Sequence, residues 1–83
     1  MENKLQNVYL MKDLARQTGY SIHTLKYYLK LGLIHESGRS PATRFRYFDG
    51  QTVATLARIR ALRRERQSLA AIRRHLAEPA ARS

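Results

Sequence analysis

The chain has 83 residues, with sixteen lysines and arginines against six aspartates and glutamates, a formal net charge of +10 and no cysteine. Disulfides, thiolate metal sites and a cysteine nucleophile are excluded, and no stretch approaches the ~20 apolar residues that a membrane span requires. One small domain is expected, 1–83, without room for a large substrate cavity, and the charge excess points to a polyanionic partner.

Leu10, Met11, Leu14 and Ala15 repeat with helical spacing, and Gly19 follows Thr18 where a chain leaving a short helix favours positive φ. Ser21 then caps a second helix over about 21–31 through its hydroxyl. On that helix Ile22, Leu25 and Leu29 share one face, at i, i+3 and i+7, and His23, Lys26, Tyr27 and Lys30 share another. One face anchors the helix and the other is free to touch a ligand. Helix, glycine turn and helix is the helix-turn-helix arrangement, whose second helix enters the DNA major groove.

Gly32 follows as a C′ residue, and Leu33 and Ile34 turn the chain back toward the core. Residues 37–43 form a turn that Pro41 keeps irregular, and Phe45 to Phe48 have strong strand propensity. Pairing them with Leu33 to Glu36 predicts a two-stranded hairpin, a wing over about 34–48, with Arg39 and Arg44 in its basic loop.

Asp49 caps a third helix that buries Val53, Leu56, Ile59 and Leu62, with Arg58, Arg60, Arg63, Arg64 and Arg66 on its other sides. Ser68 caps a fourth, carrying Leu69, Ile72 and Leu76; Pro79 ends it and the tail beyond Glu78 is expected to fray. The fold class is therefore mostly α: a winged helix-turn-helix with four helices and a short two-stranded β-hairpin. All ten basic residues beyond position 43 are arginines, but GC-rich coding would give the same bias, which is no evidence of base reading. His23, His35 and His75 lie far apart, and no catalytic triad or carboxylate pair stands out. Neither an enzyme nor a cofactor or metal site is expected.

Several segments together resemble the DNA-binding domain of the MerR family of bacterial transcription regulators. These are Asp13-Leu-Ala15, Thr18-Gly-Tyr-Ser-Ile-His-Thr-Leu-Lys-Tyr-Tyr28 with Gly32-Leu-Ile34, Phe45-Arg-Tyr-Phe48 and Ser68-Leu-Ala-Ala-Ile-Arg73. The resemblance covers about positions 9–77. It implies sequence-specific binding of double-stranded promoter or operator DNA, with the second helix in the major groove and the wing on flanking phosphates. Arg16 would lie near the backbone and His23, Thr24 and Lys26 at the groove. Tyr27 and Tyr28 match a tyrosine pair aimed at DNA, Arg46 matches the wing arginine, and Arg63 matches a basic position that reaches the duplex in some members. Three alternatives stay open: Tyr28 packing in the core, His23 standing as a solvated helix residue, and Arg46 pairing with Glu36 across the hairpin.

The chain departs from the family pattern at Leu29, where an acidic residue is common, and at Arg44, where glycine is common. Arg66 and Gln67 replace a glycine and an aromatic between the third and fourth helices, so that turn needs a left-handed residue other than glycine, or another geometry. Members generally dimerise through a long antiparallel helix and carry an effector domain beyond it. Neither is present here, which leaves an excised domain or a naturally minimal member. The expectation is a cytoplasmic protein of the bacterial nucleoid, a monomer or weak dimer that closes as a dimer or array on DNA, with RNA polymerase as a partner at promoters. An excisionase-like DNA-bending factor and a basic protein- or RNA-interaction module are the alternatives.

Overall fold

Both glycines expected to end a helix do so. In the computed structural model, which describes residues 8–77, β1 (Tyr9–Leu10) leads directly into α1 (Met11–Thr18). The Leu10 N–H donates to the Asp13 carboxylate at 3.1 Å, so the third residue of the helix reaches back to satisfy its entry. At the other end Gly19, at φ +83°, donates its N–H to the Ala15 carbonyl at 2.8 Å. The turn is short because Thr18 closes it: its hydroxyl donates to the Leu14 carbonyl and accepts from the Tyr20 N–H.

The second helix, α2 (Ile22–Leu31), begins at Ser21, whose hydroxyl accepts the Thr24 N–H at 3.0 Å. It ends at Gly32, φ +80°, in a Schellman motif: Leu33 N–H donates to the Tyr28 carbonyl and Gly32 N–H to the Leu29 carbonyl. Leu33 and Ile34 are thereby dropped into the core and are buried. Contrary to the expectation from sequence, they do not form the first strand of the hairpin. That strand is β2 (Gly38–Arg39), paired antiparallel to β3 (Arg46–Phe48) with Gly38 opposite Tyr47 and Arg39 opposite Arg46. The physical reason is burial: a side chain held on both sides by core cannot also alternate along an exposed ribbon.

On its other edge β3 pairs with β1, Tyr9 opposite Phe48 and Leu10 opposite Tyr47, making a three-stranded antiparallel sheet in the order β1-β3-β2. The wing is thus pinned to the segment that starts α1. Its tip is a four-residue loop in which Arg44 N–H donates to the Ser40 carbonyl and Ser40 N–H to the Phe45 carbonyl, with Arg44 at φ +66°.

Asp49 caps α3 (Gly50–Arg64) by accepting from the Gln51 and Thr52 N–H groups. A second Schellman motif ends it, Gln67 N–H to the Leu62 carbonyl and Arg66 N–H to the Arg63 carbonyl, and the left-handed residue is Arg66, at φ +68°. The turn keeps its ordinary geometry without its glycine. Ser68 then accepts the Ala71 N–H and starts α4 (Leu69–Ala77). The stop expected at Pro79 and the fraying beyond Glu78 lie outside the described residues. The core gathers Leu14, Leu25, Tyr28, Leu33, Ile34, Phe48, Leu56, Ile59 and Ile72, so every helix and the central strand contributes.

Candidate nucleic-acid interface

The anchoring of α2 decides which of its side chains are free. Leu25 is fully buried and Leu29 half-buried, but the third member of the expected stripe, Ile22, is 41% exposed. It stands at the first helical position, where the helix projects past the core. Tyr28, proposed with its neighbour as a residue that faces DNA, is only 7% exposed and belongs to the core. It lies one turn from Leu25, so its side chain follows the buried row. Its ring packs edge-on against Tyr20, 5.6 Å between centroids.

With those residues turned inward, the outer face of α2 carries exposed His23, Lys26 and Lys30 and a Tyr27 that is 48% exposed. Thr24 is half-buried, and its hydroxyl accepts a hydrogen bond from that of Ser21 at 3.0 Å, which ties both to the cap. The wing stands beside this face. Between wing and α2 runs a cleft of about 490 Å³ whose cations are Lys12, Lys26, Arg39, Arg44 and Arg46, with Ile22 and Phe45 among its apolar walls. Lys26 and Arg46 also border a second groove, shared with Lys30 and His35, so these two cations stand on the ridge between the grooves. Arg16 and Arg63 are exposed but line neither groove, and Arg63 donates to the Gln67 carbonyl at 3.1 Å.

Within the wing, Glu36 accepts from Arg46 at 2.8 Å and from Arg39 at 3.0 Å. The cross-hairpin pairing considered for Arg46 exists, and it takes in Arg39 as well. Hydrogen bonding from Arg39, then the charges of both guanidiniums and the Arg46 bond, hold the Glu36 carboxyl below its ordinary range despite a smaller opposing effect of burial. All three side chains keep water on one side, so the cluster sets where the guanidiniums point more than it stabilises the fold.

The turn between α1 and α2 is braced from α3. Arg60 donates to the Thr18 carbonyl at 2.6 Å and its guanidinium lies 4.5 Å from the Tyr20 ring centroid. Burial pushes the Tyr20 phenol above its ordinary range, and the adjacent Tyr28 adds to the shift against the opposing charge of Arg60. Sequence reasoning set Arg60 with the arginines on the other sides of the third helix, and nothing local to its segment distinguished it.

Comparison with known proteins follows the same lines. A family model described as "MerR HTH family regulatory protein" matches residues 9–78. The chain belongs to the MerR family. Its fold is that of a MerR-family transcriptional regulator from Bacillus cereus whose crystal structure superposes with a TM-score of 0.79 at 20% sequence identity. The match covers 86% of this chain and 52% of that one, so the chain spans about half the length of that regulator. No curated protein matches it.

Against the MerR pattern, the two departures that bear on backbone geometry are Arg44 and Arg66. Both hold the left-handed conformation that glycine would otherwise supply. Five residues of the cleft escaped the sequence reading of this MerR domain: Leu10, Met11, Lys12, Ile22 and Phe45. Lys12 was within reach, since it sits one turn before Arg16 on α1. Ile22 and Phe45 were not, because apolar residues beside a predicted helix start and strand read as core. Among the described residues no group of histidines and carboxylates is placed to hold a metal ion, and no helix is long and apolar enough to cross a membrane.

Proposed function

We propose that this MerR domain binds double-stranded DNA sequence-specifically, with α2 in the major groove and the wing on flanking phosphates, as the DNA-binding part of a transcription regulator acting at promoters or operators. The observation that carries this reading is the convergence of charge. Five cations from α1, α2 and the wing line one cleft beside a helix face that keeps His23, Tyr27 and Lys30 in solvent. The B-form major groove admits an α-helix, and a ribbon beside that helix can lie on the flanking phosphates.

In this reading His23, Lys26 and Tyr27 meet base edges, with Thr24 beside them. Arg16, Ser21, Lys30, Arg39, Arg44, Arg46 and Arg63 serve the backbone. Tyr28 takes no direct part and holds the helix in place. Chemistry is not part of the function, and RNA polymerase is the partner expected at a promoter. The free chain is a monomer or weak dimer, and a dimer or array forms on DNA; sedimentation with and without duplex distinguishes these states, and a tight dimer without DNA would overturn the assignment.

Fluorescence anisotropy with labelled duplexes, titrated at several salt concentrations, tests the binding. If ~5 to 8 phosphates are neutralised per domain, log K falls against log salt with a slope of roughly −5 to −7. Duplex RNA of equal length should compete poorly, because a helix cannot enter the deep, narrow A-form major groove. Equal competition by RNA would overturn the proposal.

A further inference from the structure

Two large apolar side chains stand in water inside the cationic cleft between α2 and the wing. Ile22 is 41% and Phe45 60% exposed, and both line the cleft walled by Lys26, Arg39, Arg44 and Arg46. A face selected only to hold phosphates has no use for either, since neither side chain offers a hydrogen bond. Their positions differ in an informative way. Ile22 is the first residue of α2, on the end of a groove-inserted helix that reaches base edges, whereas Phe45 precedes β3 on the wing.

Between its phosphates a DNA strand offers two apolar surfaces: the thymine C5-methyl group in the major groove and the deoxyribose along the rail. We propose that Ile22 reads a thymine methyl group, and that Phe45 packs on the sugar of the strand that passes between α2 and the wing. The inference rests on the DNA-binding reading above and adds a base preference to it. Isoleucine can tell thymine from the other bases only through that methyl, so the preference is for thymine at the position it faces. Phe45 touches a sugar that every nucleotide carries, and so contributes affinity without preference.

The test begins with duplexes selected by the wild-type protein from a random-sequence pool. Each enriched thymine is then replaced by deoxyuridine, which removes one methyl and nothing else. One replacement should weaken wild-type binding about fourfold, the value of one buried methyl-sized group. Ile22→Ala, folded by circular dichroism because its side chain lies outside the core, should bind the thymine and deoxyuridine duplexes equally. Phe45→Ala should lose affinity for selected and scrambled duplexes by the same factor and keep the deoxyuridine effect. Enrichment without any thymine that responds to deoxyuridine, or an equal deoxyuridine loss in Ile22→Ala, overturns this inference alone. No enrichment from the pool overturns it together with sequence-specific binding.

Discussion

Arg44 and Arg66 occupy the same backbone state for different purposes, and exchanging each for glycine separates them. Arg66 is exposed, at φ +68°, and the two hydrogen bonds of its Schellman motif, 2.9 Å to the Arg63 carbonyl and 3.1 Å from Gln67 to the Leu62 carbonyl, use only main-chain atoms. Holding an L-residue there costs roughly 1–2 kcal/mol relative to glycine, and the added freedom of glycine in the unfolded chain offsets about 0.4–1 of it. Arg66→Gly should therefore stabilise the fold by ~0.5–1 kcal/mol, which raises the melting temperature of a domain this size by roughly 2–8 °C. Because position 66 lies outside the cleft, DNA affinity and its salt dependence should not move. Arg44→Gly relieves the same strain at φ +66°, but it also removes a cation from the cleft. The salt slope should then become shallower by about 0.9, one phosphate contact. Thermal melting by circular dichroism and salt-titrated anisotropy read the two quantities independently. An Arg66→Gly protein that melts at or below the wild-type temperature would refute the strain argument. An Arg44→Gly protein with an unaltered slope would refute the placement of Arg44 on a phosphate.

Three further outcomes follow from named contacts. Tyr27→Ala and Arg46→Ala should each weaken DNA binding by ~1–3 kcal/mol while leaving circular dichroism unchanged; full-strength binding by both would move the interface elsewhere. Gly38→Ala would set a methyl carbon 2.5 Å from the Tyr47 hydroxyl oxygen, so the ring must shift, and the wing should loosen by ~1–3 kcal/mol in urea unfolding. Pairing it with Tyr47→Ala should give less than the sum of the two losses, since the second change empties the space that the first needs. Glu36→Gln should strengthen DNA binding, because it releases Arg39 and Arg46 and removes an anion from beside the phosphates. The pH dependence has the same origin: the Glu36 carboxyl titrates lower folded than unfolded, so its stabilisation of the wing is present above the unfolded value and lost as pH falls through the folded one. Acidification through that window should raise affinity in the wild type, and Glu36→Gln should flatten the rise.

Local signals made most of the helical frame legible. Ser21, Asp49 and Ser68 cap three helices as their side chains predict, and Gly19 and Gly32 end two of them, because each acts within four residues of itself. The demand for a left-handed residue without glycine at the α3–α4 turn was readable for the same reason. What failed depends on distance in the chain. β1 is two residues long and pairs with a strand nearly forty positions away, so no alternation in its own segment announces it. Leu33 and Ile34 carry good strand propensity, and burial in the core outweighs it. In α2, an i, i+3, i+7 stripe spans more of the helix than the core covers, and Tyr28 rather than Ile22 completes the buried face. A tyrosine matched to a DNA-facing pair and one matched to the core look alike in sequence when both lie near an apolar row.

Net charge is the coarsest of the signals, and the structure divides it. Of the ten arginines beyond position 43, Arg44 and Arg46 line the cleft, while Arg60 holds the α1–α2 turn. Arg58, Arg64, Arg73 and Arg74 are exposed on α3 and α4, away from the cleft. Counterion release counts only cations that meet phosphates, so the salt slope measures the convergent set rather than the formal charge of +10. If α4 stays clear of the duplex, replacing Arg73 and Arg74 by glutamine lowers the charge by two without altering the slope. A slope that shallows by nearly two on that replacement would place α4 against DNA and require a binding surface wider than the cleft, the outer face of α2 and the flanking Arg16 and Arg63.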